Sequence, residues 1–184
     1  MRISAILTSL LTLFFVAAAP AFVLAETRVR TTPTPVPSTT IAPVDSYKIF
    51  WPITAGKVMG DGLYFLKSFK EDLRELFIFS DIKRAEYNMT LSEKRTVEAE
   101  KLFLLNKDYA NGLKTLEAAQ QKRERAQDFL MKADKKGRNV TDQKNRIISS
   151  FQKQRDLLVY IETQVPEGQK SVLSENITKV NSLL

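Results

Sequence analysis

From Ser46 to the C-terminus apolar residues recur at steps of three and four, and no strand-like alternation lasts more than a few residues. The pattern predicts an all-α domain. A first helix fits Gly62 to about Phe79, with Leu63, Leu66, Phe69, Leu73, Leu76 and Phe77 on one stripe expected to face inward. Asp61 stands at its expected N-cap, where a carboxylate can meet the free amides of the first turn. Ser80-Asp81 restarts a helix that runs to about Asn106, threading Ile82, Ala85, Met89, Ser92, Thr96, Ala99 and Phe103 along a heptad-like seam. Several of these are small, so a neighbouring helix can approach closely.

Asp108 caps a third helix, to about Lys136, with Leu113, Leu116, Ala119, Ala126, Leu130 and Ala133 inward and Gly137 just past its basic last turn. Asn139 caps a fourth, Asp142 stands three positions on as in a capping box, and Val140, Ile147, Phe151, Leu158, Ile161 and Val165 form its seam. Pro166 stops it and suits the first turn of a fifth helix, which aligns Leu173, Ile177, Val180 and Leu184. Short connections make neighbours antiparallel. The expected fold is an elongated antiparallel bundle of about five helices over residues 46–184.

The N-terminal quarter reads differently. Arg2 is followed by an uncharged apolar run, and Val23-Leu24-Ala25 offers a small-residue cleavage site before Glu26, so residues 1–25 read as a signal peptide. The competing reading is an uncleaved membrane anchor, because residues 3–25 carry no charge and are long enough to span a bilayer. Both place the domain outside the cytoplasm, secreted or tethered. Residues 26–45, rich in Thr and Ser with four prolines, cannot form a helix or bury a core and are expected to be a disordered spacer.

Composition narrows the chemistry. The chain has no cysteine and no histidine, which excludes disulfides, thiol nucleophiles, imidazole or thiolate metal sites and the usual neutral-pH general base. A metal site or catalyst built only from Asp and Glu stays open, but no cofactor, no metal and no catalytic residue are expected, and the chain is read as not an enzyme.

The stretch "WPITAGKVMGDGLYFLK", residues 51–67, raises the one possibility of a phosphate-binding loop. It fails: Gly56-Lys57 is followed by Val58, the position five before Gly56 is Trp51, and Gly56, Gly60 and Gly62 lack dinucleotide spacing. Gly60 and Gly62 instead relax the backbone around Asp61. Residues 47–79 hold eight aromatics: Tyr47, Phe50, Trp51, Tyr64, Phe65, Phe69, Phe77 and Phe79. They are expected to lock this segment across the bundle as core; the alternative is an exposed patch for a partner or a membrane interface.

Gly60, Asp61, Leu63, Tyr64 and Lys67 match a Gly-[Asp/Ser]-x-Leu-Tyr-x-x-Lys opening, and Ala85, Glu93, Arg95, Glu98 and Ala99 match the hairpin that follows it. Over residues 50–135 the chain thus resembles an uncharacterised family of secreted or membrane-tethered bacterial helical domains, catalogued as a domain of unknown function. The resemblance implies a helical fold, bacterial origin and an extracytoplasmic location; it implies no activity, and the opening motif reads as structural.

Net charge is +7, and between Lys122 and Arg155 eleven basic residues face four acidic ones, an excess equal to that of the whole chain. This hairpin is expected to be a solvated face, or else to dock on an anionic membrane or wall polymer through Lys135, Lys136, Arg138, Lys144 and Arg146. Nucleic acid is excluded as a partner by compartment and by the lack of interleaved aromatics. Three Asn-x-Thr triplets, at Asn88, Asn139 and Asn176, fall in or at helices and read as coincidence. The carboxylate pairs Glu71/Glu75 and Glu98/Glu100 read as surface ion pairs. The whole predicts a non-catalytic extracytoplasmic module for protein interaction or envelope structure.

Overall fold

The computed structural model describes residues 44–184. The expected signal peptide, and all but the last two residues of the expected spacer, lie outside the described residues. Those last two belong to the folded part: Val44 packs against the core, and the Asp45 carboxylate accepts from the Tyr47 and Lys48 amides. They open α1 (Ser46–Ile49), a single turn. After it come α2 (Tyr64–Leu76), α3 (Asp81–Glu100), α4 (Tyr109–Lys135), α5 (Thr141–Gln164) and α6 (Glu167–Asn181). The described residues are helical and contain no strand, as the periodicity predicts.

α3 does not stop at Glu100 but widens into a π-helical segment, Lys101–Asn106. Lys107 then turns left-handed at φ 54°, and the Asp108 amide closes the end by bonding Leu102 O at 2.9 Å. Asp108 caps α4 as expected, accepting from the Asn111 amide at 3.1 Å. Gly137, at φ 71°, closes α4: its amide bonds Asp134 O and that of Arg138 bonds Ala133 O, the paired closure of a left-handed helix end. Asn139 accepts from the Thr141 amide at the start of α5. Val165 ends α5 in extended backbone because Pro166 disfavours the helical region for the residue before it.

α3 and α4 share the most extensive interface and run antiparallel: Lys136 meets Asp81 at one end, and Gly112 meets Phe103 at the other. Ala85, Ser92 and Ala99 on α3, and Ala119, Ala126 and Ala133 on α4, repeat every seven residues and are buried. Small side chains on both partners let the two backbones close together. Any Cβ at Gly112 would stand 2.8 Å from the Phe103 ring, so only glycine fits there. α5 lies beside α3 and parallel to it, as Glu86–Arg146, Glu93–Ser150 and Thr96–Gln154 advance together. α6 covers α5 and reaches α4 through Gln127, which donates to Leu183 O. Phe103, Leu116, Phe151, Leu158, Ile161 and Leu173 form the centre, each without exposed surface. Each contributes on the order of 1.5–3 kcal/mol by leaving water.

α2 reverses the expectation. Leu63, Leu66, Phe69, Leu73, Leu76 and Phe77, assigned to the core by their spacing, are all exposed, and the buried positions of α2 are Glu71 and Glu75. The amphipathic pattern is real, but the bundle meets its charged face. Of the eight aromatics expected in the core, Phe50 is buried and Tyr64 half-buried, while Tyr47, Trp51, Phe65, Phe69, Phe77 and Phe79 are exposed. Asp61 is not the helix cap either. Its side chain accepts from the Val58 amide at 2.8 Å and its carbonyl from the Tyr64 amide, so it folds a turn one step before α2.

Candidate functional site

Four polar residues of α2, Lys67, Glu71, Asp72 and Glu75, fix it to α3 and α4. Lys67 donates to Glu98 and to the Lys57 carbonyl, pinning the preceding loop as well. Glu71 pairs with Lys94 through one oxygen and Arg95 through the other. Arg95 also grips both oxygens of Glu98, at 3.0 and 2.8 Å. One turn further, Glu75 accepts from Asn88 at 3.1 Å, Lys122 at 3.2 Å and Arg125 at 3.5 Å, and Lys122 reaches Asp72 at 3.3 Å. The Tyr64 ring lies under the cations of Lys67 and Arg95, at 5.3 and 5.4 Å from its centre. Tyr87 donates to Glu71 O at 3.1 Å.

The groups at the centre of the cluster, Arg95, Glu98, Glu71 and Lys67, are largely out of water. Burial works against the Arg95 cation, but Glu98 and Glu71 outweigh it and hold its pKa above the ordinary arginine value. Burial pulls the Lys67 ammonium below the lysine value, only partly offset by Glu98, and pushes the Tyr64 hydroxyl up. Glu71, Glu75 and Glu98 are therefore not the surface pairs the sequence suggests: they are 8%, 9% and 0% exposed. Each is bound to cations, which suits anchorage.

The reverse side of α2 is an apolar strip. Phe65, Leu66, Phe69, Leu73, Leu76 and Phe77 fall within about one third of the helix circumference at 100° per residue, opposite Glu71. Phe69 is 65% exposed, and Phe79, in the turn after α2, is 89% exposed. Beside the strip a groove of about 650 Å³ is lined by Phe69, Leu73, Leu76 and Phe129, by the cations Arg84, Arg125 and Lys132, and by the carboxylates Asp72, Glu75 and Asp128. Arg84 and Lys132 both lie over the Phe129 ring, at 5.3 and 4.9 Å.

Of the five opening-motif residues, Gly60 takes a left-handed turn at φ 99°, Asp61 folds that turn, Tyr64 and Lys67 join the buried cluster, and Leu63 is exposed. The five basic residues of the hairpin are exposed but dispersed. Lys136 is paired with Asp81 beside Phe79, Arg146 lies 3.9 Å from Glu86, and Lys144 lines a separate groove with Ile147 and Leu183.

A second polar cluster, unforeseen from the sequence, sits in the core. Arg123 has no exposed surface; it donates to Gln154 at 2.9 Å and Gln120 at 3.0 Å, and its Nη2 has no partner. Burial lowers its pKa to about 10, leaving it cationic at neutral pH. Gln154 also accepts from Thr96 and donates to Ser92 and Ser150, and Ser150 donates to Glu93 at 2.7 Å. Burial raises the Glu93 pKa above the glutamate value against the pull of that hydrogen bond; Glu100 is raised for the same reason. These two carboxylates line different grooves and do not form a pair. Among the described residues no group of carboxylates is placed to hold a metal ion.

Residues 57–168 match the family described as Domain of unknown function (DUF5667), and the chain, 112 of whose 184 residues are covered, belongs to it. The match begins in the loop before α2 and ends in the first turn of α6, so the outward apolar strip and its buried anchors lie within it. Comparisons with curated proteins and with solved structures give no match.

Proposed function

We propose that this member of the family is a non-catalytic docking module acting outside the cytoplasm, with the outward face of α2 as its contact surface. One observation carries the reading: α2 spends its charged side on the bundle and turns its apolar side to solvent. A helix chosen only to close a bundle gains by burying its grease, so the reverse arrangement is explained by a partner that covers the strip. The uncharged run at residues 3–25 supports export, and the ion-paired state of Glu71, Glu75 and Glu98 supports a role without catalysis.

The double substitution Phe69→Ser/Leu73→Ser tests the reading. On an exposed strip it leaves the unfolding free energy within about 1 kcal/mol of wild type. Two buried large-to-small changes would cost roughly 4 kcal/mol or more, and a loss of that size would refute the docking face.

A further inference from the structure

Resting on that reading, we infer that the surface covered by α2 is an anionic lipid bilayer. The strip is shallow and continuous along a helix of 13 residues, about 20 Å at the usual rise, a shape that fits a plane better than a pocket. Its composition is that of an interfacial helix: phenylalanines and leucines on one arc, with Lys70 and Arg74 exposed along one edge. Across the groove stand Arg84, Arg125 and Lys132. Near Phe79, Arg138 continues the cationic rim, while Lys136 is paired there with Asp81. Three carboxylates also line the groove, but Asp72 and Glu75 are paired with Lys122 and Arg125, which leaves Asp128 against Lys70, Arg74, Arg84 and Lys132.

An apolar arc edged by cations matches the boundary between acyl chains and anionic head groups. A soluble wall polymer supplies anions but no apolar phase for six bulky side chains. A second copy of the chain supplies the apolar phase, but a symmetric pairing through α2 would set the two cationic rims against each other. With the bilayer as occupant, α2 lies flat on the membrane and the ion pairs of Glu71, Glu75 and Glu98 hold the bundle on its upper side.

The chain's lack of cysteine makes the test local to α2 even in the full-length protein. Leu73→Cys carries an environment-sensitive fluorophore, with Lys153→Cys on α5 as the control site. Each is mixed with vesicles of phosphatidylcholine alone or with about 30 mol % phosphatidylglycerol. The expected result is transfer of the residue-73 label to an apolar environment only on anionic vesicles, weakened about tenfold between roughly 50 and 500 mM salt. The same loss is expected on adding Lys70→Glu/Arg74→Glu, and the residue-153 label stays aqueous throughout. An aqueous residue-73 label on anionic vesicles overturns the inference. If the unfolding free energy of the Phe69→Ser/Leu73→Ser variant is also unchanged, the docking face stands and only its occupant is wrong. A label that becomes buried with rising protein concentration and no vesicles identifies a second copy instead and likewise overturns it.

Discussion

Glu98→Gln asks whether charge is what holds α2 in place. The wild-type carboxylate has no exposed surface and accepts from both Arg95 and Lys67. Glutamine keeps the volume and one acceptor oxygen, but it removes the charge and turns an amide donor toward two cations. Removing one partner from a buried pair costs about 3–5 kcal/mol. Glu71 still reaches Arg95, so the lower figure, about 3 kcal/mol, is the expectation. The loss should be local, because apolar packing does not fasten the helix. Native-state hydrogen exchange should show amides of Phe69–Leu76 opening about a hundredfold more readily, the factor that 3 kcal/mol corresponds to. Amides near Leu116 on α4 and Phe151 on α5 should lose far less. Unchanged α2 protection in Glu98→Gln, or a loss spread evenly over α2 to α6, would refute the argument that ion pairs are the fastening.

Gly112→Ala should destabilise by about 1–2 kcal/mol, because the crowding of the Phe103 ring exceeds the usual helical gain of about 1 kcal/mol from alanine. Gly168→Ala, with open space around it, should instead stabilise by up to about 1 kcal/mol; paired thermal melts read the opposite signs. Glu93 holds its proton more tightly in the folded state than in the unfolded one, so wild-type stability falls as pH rises from about 4.5 through the raised value. Glu93→Gln should remove that fall, giving a higher melting temperature at pH 7 and no advantage below about pH 4. Gln154→Leu strands Arg123 and should cost about 3 kcal/mol or more, whereas Gln154→Leu with Arg123→Met should recover most of it in a double-mutant cycle.

α3 to α6 were legible in the sequence because their seams are long and their breaks are chemically marked. Asp108, Gly137, Asn139 and Pro166 each stand where a helix starts or ends. Arg123 and Gln154 were missed although the signal was present: both fall in register with seam residues, Arg123 between Ala119 and Ala126 and Gln154 between Phe151 and Leu158. A periodic count that admits only apolar residues passes over them. α2 is a different kind of miss. Local periodicity shows that a helix has an apolar side, but which side meets the bundle depends on Lys94, Arg95, Glu98 and Lys122, which are distant in sequence from Glu71 and Glu75. Surface pairing of Glu71, Glu75 and Glu98 was the right chemistry in the wrong place, since nothing local reports that Lys94, Arg95 and Lys122 reach Glu71 and Glu75, and that Lys67 reaches Glu98, from another helix.

The inverted seating of α2 also fixes how its release would register in calorimetry. Because the apolar strip is wet while the helix is docked, undocking hydrates carboxylates, ammonium groups and a guanidinium instead of hydrocarbon. Hydrocarbon exposure raises heat capacity and polar exposure lowers it. Lifting α2 away should therefore carry a heat-capacity change near zero or negative, the reverse of the large positive value that accompanies melting of the alanine- and leucine-lined rods beneath it.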